Sequence, residues 1–130
     1  MILIDTSAWI DYFNGVPTPP TRQVEKALLT GRVIVGDLVM TEVLQGVRDD
    51  RTLSRIADEL ARFRQVTLCG PDIAILAASN YRLLRRGGIT IRGTIDVIIA
   101  TWCMANDAEV IHNDRDLKQI ERLLGLRSYQ

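Results

Sequence analysis

Ile2-Leu3-Ile4 is a short apolar run that stops at Asp5. Short continuous runs of this kind suit strands buried on both faces. Val33-Ile34-Val35, Val66-Thr67-Leu68 and Val110-Ile111-His112 read the same way, and Leu126 to Tyr129 is expected as a short edge strand. Between these runs the hydrophobic period lengthens to that of a helix. Leu53, Ile56, Ala57 and Leu60 fall on one helical face, as do Met40, Val43, Leu44 and Val47. Thr6 or Ser7 is expected to cap a helix carrying Trp9, Ile10 and Phe13. Gly15 to Pro20 is a turn-rich connection, and a helix from Thr21 to about Thr30 stops at Gly31. Gly70-Pro71 ends the third strand. A long helix then runs from Asp72 to Gly87-Gly88, with Asn80 interrupting the apolar face of Ile73, Leu76, Ala77, Leu83 and Leu84. Thr94 is expected to cap a helix that is apolar nearly all round, through Ile95, Val97, Ile98, Ile99, Trp102 and Cys103. Such a helix belongs in the middle of a domain. Leu117 to Leu124 forms the last helix.

Strands alternating with helices predict an α/β fold: one domain over residues 1–130, with a mainly parallel sheet flanked by helices. The composition agrees. The chain has 130 residues, 47% of them hydrophobic, with 16 Lys plus Arg against 16 Asp plus Glu. That excludes disorder as the bulk state. The longest apolar stretch, Val97 to Ala105, is about half the roughly 20 residues a membrane-spanning helix needs. No basic residue precedes Ile2-Leu3-Ile4 and no cleavage site follows, so a secretory signal is not expected and a cytoplasmic protein is. Cys69 and Cys103 sit among apolar residues and read as buried thiols rather than as a disulfide or zinc site.

In parallel α/β sheets the site lies beyond the carboxyl ends of the strands, where strand order reverses. Acids cluster at that edge. Asp5 follows the first strand directly, Asp114 follows the fourth after His112-Asn113, and Asp116 comes two residues later. Asp96 lies in the first turn of the buried helix, where the helix dipole favours a carboxylate, and Glu42 lies in the helix after the second strand. Each acid taken singly has a plain structural role as a cap, a dipole partner or a solvated side chain. Those roles give no reason for four distant segments to send acids to one edge. Bare carboxylates at close range repel. A hard divalent cation with oxygen ligands, Mg²⁺ or Mn²⁺, removes the conflict. Four carboxylates balance two such cations, a set suited to metal-assisted phosphodiester hydrolysis.

Ile2-Leu3-Ile4-Asp5-Thr6-Ser7-Ala8-Trp9 resembles the opening of PIN-domain nucleases, and more narrowly of the VapC toxins of bacterial toxin–antitoxin pairs. Thr41 to Gly46, Thr94 to Ala100 and His112 to Leu117 match in the same order and spacing. The resemblance implies a Mg²⁺- or Mn²⁺-dependent endoribonuclease with a five-stranded parallel sheet, a homodimer, and inhibition by a VapB-type antitoxin. It carries catalytic and metal-site roles to Asp5, Glu42, Asp96 and Asp114, with Asp116 as a further metal-site acid. Thr6 and Asn113 match polar neighbours of the site. Leu117 departs from the aromatic residue common there, which concerns packing alone.

Other residues bear on this picture less directly. Arg85 and Arg86 end the long helix, where they complement its dipole; with Arg92, Arg115 and Lys118 they are also placed to rim a cleft and hold RNA phosphates. His112, the one histidine, reads as packed or solvated, with general acid–base work as the alternative. Trp9, Tyr12 and Phe13 form an aromatic patch suited to core or dimer packing, to base stacking or, by the resemblance, to an antitoxin helix. A phospho-acceptor signalling domain would need paired acids after the first strand and an Asp after the middle one; here Asp5 is single and Cys69-Gly70 follows Leu68. A degenerate PIN domain that binds without cutting conflicts with the intact set of acids.

Overall fold

The computed structural model describes residues 1–130. The chain order is β1 (Ile2–Ile4), α1 (Thr6–Phe13), α2 (Pro19–Leu28), β2 (Val33–Gly36), α3 (Asp37–Gln45), α4 (Asp50–Ala61), β3 (Arg64–Val66), α5 (Pro71–Arg86), α6 (Thr94–Ala105), β4 (Glu109–Ile111) and α7 (Arg115–Leu124). Every strand pairing is parallel, in the order β3-β2-β1-β4. Leu3 lies opposite Ile34 on one side and Val110 on the other, so β1 is an interior strand, and all its residues are fully buried. From β1 the chain winds outward through β2 to β3, then crosses back to place β4 on the other side of β1. The switch point therefore lies between β1 and β4, at the ends carrying Asp5 and Asp114. Right-handed crossovers put α1 to α4 on one face of the sheet and α5 and α6 on the other, and α7 packs against α5 and α6.

The sheet has four strands, not five. The segment expected as an edge strand makes one isolated parallel bridge, Val110 to Ser128. Gly125, with φ of 79°, turns the chain out of α7 beside β4, where Val110 exchanges backbone bonds with Arg127 and Tyr129 and no longer ladder forms. The third strand is shifted: it is Arg64–Val66, not Val66 to Leu68. β3 is an edge strand with exposed residues, so polar Arg64 and Gln65 are tolerated in it. Leu68 is fully buried but stands outside the ladder, its N–H donating to Asp37 Oδ1 at 3.0 Å. Its side chain occupies the space over Gly36, where an added Cβ would stand 2.4 Å from Leu68 Cδ1.

Helix starts also differ in detail. Asp5, not Thr6 or Ser7, caps α1. Thr18 caps α2, with prolines in its first turn. Gly93 stands at the cap of α6 and offers no side-chain bond, so Thr94 is its first residue. The apolar α6 is buried as expected, and Asn80 proves to be its partner: Asn80 Nδ2 donates to the buried Thr101 Oγ1 at 2.9 Å. Cys69 and Cys103 are free thiols; Cys103 is buried and Cys69 half-buried. No helix is long and apolar enough to cross a membrane.

Candidate functional site

Asp5 leaves β1 with extended backbone and begins α1, which is why its carboxylate folds over the helix start. Its Oδ2 accepts from the Ser7 hydroxyl at 2.7 Å and the Ser7 N–H at 3.2 Å. Its Oδ1 is buried and has no hydrogen-bond partner. A buried carboxylate oxygen left unpaired is costly, and a metal ion is one occupant that would satisfy it.

The other acids arrive from three elements. Asp114 caps α7, its Oδ1 accepting from the backbone N–H of Asp116 at 2.6 Å and of Leu117 at 3.2 Å. Asp116 lies one residue inside α7 and is 8% exposed. Asp96 projects from the first turn of α6. One oxygen from each of Asp96, Asp114 and Asp116 lies within 4.8 Å of the other two. Opposite ligands on one Mg²⁺ stand about 4.2 Å apart, so the trio is close to chelating distance. Glu42 approaches from α3, its Oε1 accepting from Thr6 Oγ1 at 2.8 Å.

The electrostatics tie the five acids together. Burial pushes the Asp96 carboxyl up to about 7, and the charges of Asp114, Asp5, Glu42 and Asp116 add to the rise in that order. Burial also raises Asp5; the Ser7 bonds oppose this and the Asp114 charge reinforces it. Burial and the neighbouring charges thus make Asp5 and Asp96 harder to ionise while no cation is bound. The donor set is all oxygen, crowded and short of charge balance, and it fits a hard divalent cation.

The expected supporting residues divide. Thr6 touches the site through Glu42. Asn113 supports the loop and not the acids: its Nδ2 donates to Asp11 Oδ2 at 2.9 Å and its backbone N–H to Ser7 Oγ at 2.9 Å. Arg92 reaches the centre, its backbone N–H donating to Asp116 Oδ2 at 3.3 Å with Nε 3.7 Å from the same oxygen. Arg115 and Lys118 join His112, Asn113, Asp114 and Glu121 around a polar hollow of about 450 Å³ beside the acids. Arg85 and Arg86 are the last residues of α5, and the Arg85 guanidinium stands 5.9 Å over the Tyr81 ring. His112 is packed: its Nδ1 accepts from the Asp114 N–H and its Nε2 lies 2.9 Å from Glu121 Oε1, which also bonds Ser128 Oγ. That arrangement holds the acid loop and leaves no free ring nitrogen. Ser7 and Asp11 were missed as site residues. They stand four residues apart on one face of α1, a polar pair in a helix that also carries Ala8, Trp9, Ile10 and Phe13, and that spacing was the available signal.

Trp9 is 1% exposed and stacks on Phe13 at 5.4 Å, so it belongs to the core and not to an open aromatic surface. Beside it, Ile10, Phe13, Val43, Val47 and Ile56 line a groove between α1, α3 and α4.

The PIN domain family matches residues 2–123. Ribonuclease VapC11 of Mycobacterium tuberculosis is 33% identical over 136 residues, covering 98% of this chain and 97% of that protein. VapC ribonuclease Mb1587 of Mycobacterium bovis matches to the same extent, with 33% identity over 98% of this chain and 97% of its own length. Among solved structures, VapBC2 from Rickettsia felis bound to a DNA fragment from its promoter superposes with a TM-score of 0.78 at 19% identity, over 99% of this chain and 98% of that one. The sarcin-ricin-loop-cleaving toxin VapC20 of Mycobacterium tuberculosis gives 0.61 at 15% identity, over 91% of this chain and 93% of that one. At these identities the structural likeness speaks for the fold.

Proposed function

The chain belongs to the PIN-domain family, and from that premise we propose that it is a divalent-metal-dependent endoribonuclease, the toxin of a VapBC-type pair. The observation that carries the reading is the convergence of Asp5, Glu42, Asp96, Asp114 and Asp116 at the switch point, with Asp5 Oδ1 buried and unpaired. Asp5, Asp96, Asp114 and Asp116, with Glu42 held by Thr6, would bind Mg²⁺ or Mn²⁺. Bound there, the cation supplies activation of water and neutralisation of charge at the scissile phosphodiester. The protein's own part is positioning. Ser7 orients Asp5, the α7 cap orients Asp114, and burial of Asp5 and Asp116 keeps bulk water from competing. Arg92, Arg115 and Lys118 rim the acids and offset their charge toward RNA phosphates, with Arg85 and Arg86 as outlying cations. A target in cellular RNA places the protein in the cytoplasm.

A ribonuclease of this kind needs a silencer, and the likeness to VapBC2 and to a toxin-antitoxin complex supports the class, a VapB-type antitoxin. An apolar helix of that partner fits the groove of Ile10, Phe13, Val43, Val47 and Ile56. An Arg from the same partner would pair with the carboxylates and compete with the cation. The exposed apolar side chains of α5, Ile75 at 70%, Leu76 and Leu83, favour a second copy of the chain as a homodimer partner.

The test is cleavage of RNA by the purified chain with Mg²⁺, with Mn²⁺ and with chelator. Cleavage that needs the cation and falls by at least a hundredfold in Asp5→Asn supports the reading. Undiminished cleavage by Asp5→Asn in chelator would overturn it.

A further inference from the structure

Ser7 has one hydroxyl and uses it twice. It donates to Asp5 Oδ2 at 2.7 Å and accepts the Asn113 N–H at 2.9 Å. The first bond turns the Asp5 carboxylate so that Oδ1 is the oxygen left without a partner. The second ties the end of β1 to the loop after β4, one residue before Asp114. These two segments are far apart in sequence, and at this end of the strands one backbone bond links them, the Asp5 N–H donating to Ile111 O at 2.8 Å. Four residues along the same face of α1, Asp11 holds the Asn113 side chain at 2.9 Å. The first two turns of α1 therefore clip the loop by its backbone and by its side chain.

We propose that Ser7 is a positioning residue of the acid centre, setting Asp5 and the Asp114 loop in register for a shared divalent cation through its single hydroxyl. The proposal rests on the metal-centre reading above. Without the hydroxyl, Asp5 Oδ2 keeps only the Ser7 N–H at 3.2 Å, and the Asn113 N–H has no partner. Two mutually repelling acids are then held in register by fewer bonds, the Asn113 side chain on Asp11 and the Asp5 N–H on Ile111 O. Outer-shell partners that orient metal ligands typically carry about 10- to 100-fold in metal affinity, and Ser7 holds one ligand directly and another through its loop.

The experiment is Mn²⁺ binding, followed by the electron paramagnetic resonance of free Mn²⁺, to the wild type, Ser7→Ala, Ser7→Thr and Asp5→Asn. It is paired with hydrogen exchange at the Asn113 amide in metal-free protein. Ser7→Ala is expected to bind Mn²⁺ about 10- to 100-fold more weakly and to exchange the Asn113 amide faster. Ser7→Thr, which keeps the hydroxyl, restores both. Equal Mn²⁺ affinity in the wild type and Ser7→Ala overturns the role of Ser7 while leaving the metal centre standing. A wild type that binds no Mn²⁺ overturns the metal centre and this proposal with it. An unprotected Asn113 amide in the wild type overturns the clip even if Ser7→Ala does not fold.

Discussion

At the scale of single residues, the molecule is organised around carboxylates that would sooner be neutral. Asp5 and Asp96 are both raised above the ordinary value of 3.8, Asp96 to about 7. In metal-free protein the folded state therefore binds more protons at these sites than the unfolded chain does. Their contribution to stability is fully present below about pH 3.8 and is lost as the pH rises toward 7. Compared with Asp96→Asn, which cannot titrate, the metal-free wild type should lose melting temperature steadily between pH 4 and pH 7. Saturating Mg²⁺ should restore the loss at neutral pH by binding the native state alone. Melting curves across pH with chelator and with Mg²⁺ check this, and a constant difference from Asp96→Asn throughout would contradict it. The aspartates were legible in the sequence, because each follows a strand or lies in the first turn of a helix, while Glu42, inside α3, was legible through the family resemblance. Their partners were not. That Asp5 rather than Thr6 or Ser7 caps α1, and that Asn113 faces Asp11, depends on how β1 and β4 lie side by side.

At the scale of elements, Asp114 holds two positions at once, helix cap and site acid. Asp114→Ala loses the cap of α7 and should cost about 1 kcal/mol of metal-free stability relative to Asp114→Asn, which keeps a capping oxygen. Both variants lose the charge, so their difference in urea unfolding isolates the cap, and equal stabilities would show that the bonds to Asp116 and Leu117 contribute nothing. Gly36 makes a second prediction. It ends β2 against the fully buried side chain of Leu68, and an added Cβ would stand 2.4 Å from Leu68 Cδ1. Leu68 has nowhere to retreat, so Gly36→Ala should destabilise by about 1–3 kcal/mol in the same unfolding measurement. Helices with a full apolar face, α4 and α6 above all, stood out in the sequence because periodicity survives any context. β3 did not. An edge strand carries exposed Arg64 and Gln65, while the apolar Leu68 beyond it packs as a plug, so hydrophobicity pointed two residues too far along. The fifth strand failed for a related reason: one bridge at Ser128 is all the chain makes there.

At the scale of the whole molecule, the fold gathers acids at one edge and leaves an apolar groove on α1, α3 and α4, and α3 carries Glu42 beside the groove residue Val43. That adjacency suits a partner that docks a helix in the groove and sends a cation into the site. Antitoxin affinity should fall as Mg²⁺ rises, and Val47→Asp on the groove should weaken it by at least tenfold while Mg²⁺-dependent cleavage persists. Titrations at several Mg²⁺ concentrations decide the matter; affinity independent of Mg²⁺ would reject the competing cation. Trp9 is unsuited to this test because it is core. The parallel α/β architecture, and the sheet edge that carries the acids, followed from the alternation of strands and helices. The groove did not, since α1, distant in the chain from α3 and α4, forms one of its walls. The central claim is that five acids from four elements hold a divalent cation for RNA cleavage. Anomalous scattering from crystals grown with Mn²⁺ tests it most directly. The account predicts a peak among Asp5, Asp96 and Asp114, absent in Asp5→Asn. A Mn²⁺-loaded, RNA-cleaving protein with no density at those carboxylates would contradict it.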